Sequence, residues 1–227
     1  MKILIVSTLK RRVRPDIFAS RSRIIYQLAS RLAEKGHKVS VLGTADSQIP
    51  GVDIIPVLEK GWVDLPPVEN PFLRDIASLI KLNNKILELQ DQFDIIHNHT
   101  YPDYFPSIIE KELKKPLITT LHALYDTYID ELLQTFSKTY FVALSKAYKD
   151  LYKKAKIGNI IYNGVDIELY SFNNKAEDYL LWVGRLPKAK NSNGQFLDPK
   201  GVRWAIRLAR ETGEKLKLLG PCEDRDF

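Results

Sequence analysis

Apolar positions along the chain fall into two alternating rhythms. Short apolar runs with strand character occupy residues 3–6, 39–42, 54–57, 94–96, 117–121, 140–143, 160–162, 179–183 and 215–219. Between them apolar residues recur at helical spacing. Ile24, Ile25, Leu28, Ala29, Leu32 and Ala33 form one such face, closed by Gly36, and Ile76, Leu79, Ile80, Ile86 and Leu87 form a second. Ser145 is placed to cap a third helix that carries Tyr148, Leu151 and Ala155 inward. A fourth helix has Asp198 as its cap, Pro199 in its first turn, and Val202, Ala205, Ile206 and Ala209 on one face. Strands alternating with helices predict an α/β fold built on a doubly wound parallel sheet. In such sheets ligands bind beyond the carboxyl ends of the strands, so the loops after each strand are where chemistry is sought.

Four loops and one longer stretch stand out by that rule. The loop after the first strand carries Lys10, Arg11, Arg12, Arg14, Arg21 and Arg23 against Asp16 alone, a composition that suits a phosphorylated ligand and equally a solvated loop. It lacks the G-x-G-x-x-G pattern, which removes the main support for a dinucleotide site. After the strand at 94–96 comes His97-Asn98-His99, and after the strand at 117–121 comes His122. If those strands are neighbours, three imidazoles meet at one edge, where they can hydrogen-bond a phosphate or a sugar hydroxyl. One of them, His97, can instead be a core histidine. Zinc held by His97, His99, His122 and Asp103 or Asp126 is a lesser reading of the same residues. Asn163-Gly164-Val165-Asp166 is turn chemistry and marks the boundary between a first domain, 1–165, and the beginning of a second, 166–227. In that second part a buried strand runs into Gly184-Arg185, and a helix mouth follows at Lys200-Gly201, an arrangement that fits an anion.

Composition narrows the field. A hydrophobic content of 44% fits a globular fold, and no apolar run approaches the length of a membrane span. The net charge of +6 favours anionic ligands or an acidic membrane surface. Nucleic acid is not indicated, because no stacking aromatics are interleaved with the cations. Cys222 is the single cysteine, which excludes an internal disulfide framework and fits a reducing, cytoplasmic setting. The opening MKILIVSTL is followed by KRRVR where a signal peptide would have its cleavage site, so it reads as a buried first strand.

Taken in order, MKILIVS, LASRLAEKGHKVSVL, DIIHNH, PLITTLH, VALSKAYKDL, IYNGVDIELY and LWVGRL with a later KG resemble the retaining family 4 glycosyltransferases of the GT-B fold. The resemblance implies two Rossmann-like domains, the first binding mainly the acceptor and the second mainly a nucleoside-diphosphate sugar, UDP- or GDP-linked, with no cofactor and no metal. It implies that His122 reaches the donor sugar and phosphate as the catalytic group. Gly184, Arg185 and Lys200 would bind the donor pyrophosphate, the cations neutralising the leaving diphosphate. Ser20, Arg21, Arg23, Asn98 and His99 fall on the acceptor or phosphate side, and Asn163, Gly164 and Asp166 at the hinge.

Three departures from the family pattern qualify this. Ala19-Ser20 stands where a Gly-Gly pair is usual. The insert LPKAKNSNGQFLDP separates Arg185 from Lys200 and reads as a lid or a tolerated loop. The sequence also ends before the expected glutamate pair of the donor domain, which reads as a split or truncated enzyme needing a complementing chain or a homodimer. Two other function classes stay open: a non-catalytic module binding an acceptor or phosphorylated ligand, and a metal-dependent hydrolase using the histidines. The acceptor is expected to be phosphorylated or lipid-linked, and peripheral contact with a membrane is expected through an exposed segment from Trp62 to Pro67.

Overall fold

The structure is a computed structural model that describes residues 1–16, 19–222, 224, 226 and 227. Two compact units divide it, Met1–Asp166 and Ile167–Phe227. The first unit is built on strands β1 (Lys2–Val6), β2 (Lys38–Thr44), β3 (Asp53–Leu58), β4 (Ile95–Asn98), β5 (Leu117–Thr120), β6 (Thr139–Ala143) and β7 (Ile157–Ile160). All pair in parallel, in the order β3-β2-β1-β4-β5-β6-β7. The chain starts in the middle, grows outward on one side and then returns to grow on the other, which is the doubly wound, Rossmann-like order. Between β1 and β4 the connections leave in opposite directions, and the crevice this creates opens at the carboxyl ends of those two strands.

Burial on both faces explains why the strands read as continuous apolar runs. One face packs Leu4, Val6, Leu42 and Ile96 beneath helix α2 (Pro71–Leu89), through Leu79, Leu82 and Ile86. The other packs Ile3, Ile5, Val39 and Val41 beneath helix α1 (Ser20–Glu34), through Ile25 and Ala29. A third cluster, with Leu121, Phe141 and Ile157 at its centre, lies by the short helices α3 (Thr127–Leu133) and α4 (Lys146–Leu151). Helix α2 starts where Asn70 accepts a hydrogen bond from the Leu73 N–H and Pro71 occupies the first turn. Ser145 caps α4 as expected, by accepting from the Tyr148 N–H.

Several expectations are corrected here. The last strand of the sheet is 157–160, not 160–162, because Ile157 and Asn159 pair with β6 across an irregular register. Gly158 lies under the Tyr140 ring, so close that a Cβ there would come within 2.4 Å of it. Ile80 points outward, and α4 stops at Leu151, which is exposed. Trp62, expected on an exposed segment, is 7% accessible and belongs to the α2-side core. Its backbone N–H donates to the Leu9 carbonyl, and that of Val63 to Lys10, so the segment after β3 is tied to the basic loop after β1. Gly61 makes this approach feasible, since a Cβ there would stand 2.7 Å from the Arg11 Cα and the Lys10 carbonyl oxygen. Gly61→Ala is therefore expected to displace backbone rather than a side chain, costing about 1–3 kcal/mol in a thermal or urea unfolding curve.

The second unit holds strand β8 (Leu180–Val183), helix α5 (Val202–Thr212) and strand β9 (Leu216–Leu219), with β8 and β9 parallel. Asp198 does cap α5, but from further upstream than expected: its carboxylate accepts from the Val202 and Arg203 N–H groups, while left-handed Gly201 occupies the capping position and Pro199 precedes the helix. Val202 and Ala209 are buried on the face predicted to pack. The insert between Arg185 and Lys200 forms a small hairpin, with Lys190 bridged to Phe196 and Asn191 accepting from the Asn193 and Gln195 N–H groups. At the ends of the two strands the backbones nearly touch. A Cβ on Gly220 would lie 1.7 Å from the Gly184 carbonyl oxygen.

Candidate active site

At the carboxyl ends of β4 and β5 the structure gathers the three expected imidazoles. The His97 and His99 rings have centroids 4.1 Å apart, and those of His99 and His122 5.1 Å. His99 Nδ1 and His122 Nε2 share a hydrogen bond of 2.8 Å, and His97 Nε2 meets the Thr120 hydroxyl at 2.9 Å. Burial lowers all three: His97 titrates at about 4, His122 at about 3, and His99 well below the ordinary value of 6.5, with neighbouring imidazoles and Arg21 adding to the effect on His99. All three rings are neutral at physiological pH. The two nitrogens at 2.8 Å share a proton and stand closer together than two ligands of a tetrahedral zinc ion do. Among the described residues no three His, Cys, Asp or Glu side chains are arranged so that they could hold a metal ion.

Asp103 and Arg21 hold this cluster from beneath. Arg21 Nη1 lies 2.7 Å from Asp103 Oδ1, and the guanidinium also donates to the His99 and Thr100 carbonyls. Asp103 Oδ2 accepts from the His122 and Ala123 N–H groups at 2.8 and 2.7 Å. Burial pushes the Asp103 carboxyl above its usual range, although Arg21 and the two N–H donors counter the shift. The Tyr148 hydroxyl, shared with Tyr152, donates to the Ala123 carbonyl. Sequence reading placed Arg21 on the phosphate side and Asp103 among metal ligands. Their pairing spans distant segments and has no local signature. Asp126, the other carboxylate considered for a metal, caps α3 by accepting from the Tyr128 N–H.

The remaining site residues separate by exposure. Asn98 is fully buried and serves the loop, donating to the Asp103 carbonyl and the Thr119 hydroxyl and accepting from the Thr100 N–H. His99 is 2% accessible. Both side chains are enclosed at the loop that follows β4. Ser20 is exposed at the start of α1, a helix with no side-chain cap and no acid in its first turn, and Arg23 is half-buried beside it. Arg21 and Lys10 both lie over the Tyr101 ring, at 5.4 and 5.9 Å from its centroid. Asn163 and Gly164 are exposed after β7, and Asp166 pairs with Arg31 at 2.9 Å. In the second unit Gly184 packs against Trp182, whose indole N–H donates to the Lys200 carbonyl, and Arg185 and Lys200 are both exposed.

The glycosyltransferase family 4 profile matches residues 22–169, which covers most of the first unit. The chain belongs to glycosyltransferase family 4. Its chemistry is therefore glycosyl transfer, and the seven-stranded unit is the Rossmann-like domain of that family. Curated protein sequences yield no match to this glycosyltransferase. Among solved structures it is similar to MurG of Acinetobacter baumannii at 10% identity, with a TM-score of 0.48 over 98% of this chain and 68% of that one. It is also similar to the C-terminal domain of the coenzyme A biosynthesis bifunctional protein CoaBC, at 10% identity, with a TM-score of 0.28 over 63% of this chain and 61% of that one.

Proposed function

We propose that this glycosyltransferase moves a sugar from a nucleoside-diphosphate sugar, UDP- or GDP-linked, to an acceptor with retention of configuration, and that it does so without a metal or cofactor. The observation that carries the reading is the convergence, in a family 4 domain, of an uncapped helix N-terminus, a basic loop and a neutral histidine cluster at the crevice of the sheet. A neutral imidazole can donate a hydrogen bond to a sugar hydroxyl or phosphate without adding charge, which suits His122 for contact with the donor. Arg185 and Lys200 would neutralise the diphosphate as it departs, the work a divalent ion does elsewhere. Ser20, Arg23 and Lys10 would supply the acceptor side with donors and positive charge fitted to a phosphorylated or lipid-linked acceptor, while Arg21, paired with Asp103, holds the loop beside them.

The second unit offers the donor side only in part. Leu181, Val183 and Leu219 lie on the face of its two-stranded sheet away from α5 and are all more than half exposed. An apolar sheet face of this kind supports completion by further donor-domain structure, through a complementing chain or a second copy. Peripheral membrane contact would fall to the exposed Val68, Phe72 and Leu73 rather than to Trp62. Among the described residues no helix is long and apolar enough to cross a membrane.

Calorimetry with UDP-, GDP- and ADP-sugars tests the reading on the chain alone and mixed with a donor-domain complement. Binding of one nucleotide sugar is expected, weakened tenfold or more by Arg185→Ala or Lys200→Ala, equivalent to about 1.4 kcal/mol. Neither binding nor hydrolysis of any nucleotide sugar in either preparation would end it. Binding of a phosphorylated acceptor without any nucleotide sugar would favour a non-catalytic module instead.

A further inference from the structure

The loop that carries His122 is held at more points than a connection between two strands requires. Asp103 accepts from two consecutive N–H groups of that loop, His122 and Ala123, and is itself fixed by Arg21. Tyr148 takes the Ala123 carbonyl from the opposite side. The His122 ring is then engaged at Nε2 by His99 Nδ1. This leaves His122 Nδ1 as the ring atom with no partner among the described residues, and it is not among the buried unpaired atoms, so it reaches solvent.

The direction of the His99–His122 hydrogen bond follows from what lies behind it. His99 Nε2 is buried without a partner. A buried orphan N–H is the rarer and costlier arrangement, so the His99 proton belongs on Nδ1, where it can be donated. His122 Nε2 must then be the acceptor, and the His122 proton must sit on Nδ1, facing out of the cluster. A neutral histidine in water favours the opposite form, with its proton on Nε2, so this ring tautomer requires a partner to impose it.

We propose that Asp103 and His99 are positioning residues for His122: Asp103 fixes its backbone through two N–H groups, and His99 fixes its ring with Nδ1–H presented to the ligand. The proposal deepens the role given to His122 in glycosyl transfer and rests on it. The donor sugar or its phosphate is then met by an N–H of set direction, without rotation or proton exchange of the ring before each turnover.

The full chain labelled with 15N-histidine tests this without substrate, so its outcome is separate from that of the nucleotide-sugar titrations. In the wild-type protein at pH 7 the His122 Nδ1 resonance is expected in the protonated range and Nε2 in the unprotonated range. His99→Leu is expected to shift the ring toward the Nε2–H form, and His99→Asn, whose amide nitrogen stands where Nδ1 stood and can donate across the same gap, to restore the Nδ1–H form. Asp103→Asn is expected to speed amide exchange at His122 and Ala123 at least tenfold while the amides of β5 keep their protection. A loss that is uniform across the unit would mark Asp103 as a general stabiliser and overturn its part of the proposal. A wild-type His122 found mainly as Nε2–H would overturn the part played by His99, whether or not the variants fold.

Discussion

Between pH 6.5 and pH 4 the N-terminal unit is expected to lose several kcal/mol of stability, with the loss beginning before its surface carboxylates titrate. In the unfolded chain His97, His99 and His122 take up protons near the ordinary value of 6.5, whereas in the folded unit burial holds His97 to about 4, His122 to about 3 and His99 well below 6.5. Through this window the unfolded state binds more protons than the folded one, so stability rises with pH and falls as the solution is acidified. At 1.36 kcal/mol for each pH unit of difference, His97 alone accounts for about 3 kcal/mol by pH 4. Asp103 works in the opposite sense, because its raised carboxyl binds a proton more readily when folded. It is one group against three. Urea midpoints from pH 8 to pH 4 measure the effect, and His97→Gln should flatten the slope. A midpoint unchanged between pH 6.5 and pH 4.5 would show that the imidazoles are not desolvated as described.

The second large effect is expected at a residue with no part in the chemistry. Glu110 is 3% accessible, and its carboxylate accepts from the Ser137, Lys138 and Thr139 N–H groups and the Thr139 hydroxyl at 2.8 to 3.0 Å, gathering the turn that feeds β6. Burial alone would raise this carboxyl, but the hydrogen bonds outweigh it and hold it below the ordinary value of 4.5. Glu110→Ala strands several donors at once, and a loss of about 3 kcal/mol is expected, with Glu110→Gln intermediate because an amide oxygen accepts fewer of them. The part of this contribution that comes from ionisation is present above pH 4.5 and is lost as the pH falls through the lowered folded value, so the gap between the alanine variant and the parent should narrow in acid. Chemical denaturation at pH 7 and pH 3.5 measures both quantities. Equal stability of Glu110→Ala and parent at pH 7 would contradict the assignment.

Periodicity exposed the sheet, because strands buried on both faces leave long apolar runs and the amphipathic helices between them keep a 3.6-residue rhythm. It failed where packing overrides pattern. Gly158 interrupts the apolar character of β7, so the strand was expected three residues late, and only the Tyr140 ring explains why a glycine is tolerated there. The helix at Thr127–Leu133 is too short for its period to register, although its cap, Asp126, was in view and read as a metal ligand. Trp62 sits among polar and proline residues, and its burial goes with backbone hydrogen bonds from Trp62 to Leu9 and from Val63 to Lys10, in the loop after β1. In the site, the approach of His97, His99 and His122 was legible, since it needs only the alternation within one strand and the adjacency of two. The Arg21–Asp103 pair was not legible, because ion pairing between distant segments leaves no trace in local spacing.

The position of β1 in the middle of the sheet also fixes the order in which the unit can assemble. One edge of β1 is covered early, when Ile3 pairs with Val39, but the other waits for β4, where Ile3 meets Ile95. A ribosome has to deliver almost a hundred residues before that second edge can close, and until then an apolar strand edge is open to wrong partners. From β4 onward each new strand adds to the growing margin beside its predecessor, through β5, β6 and β7. Folding is therefore expected to be slow for a domain of this size, with closure of β4 on β1 as the chaperone-sensitive step on which the remaining strands wait.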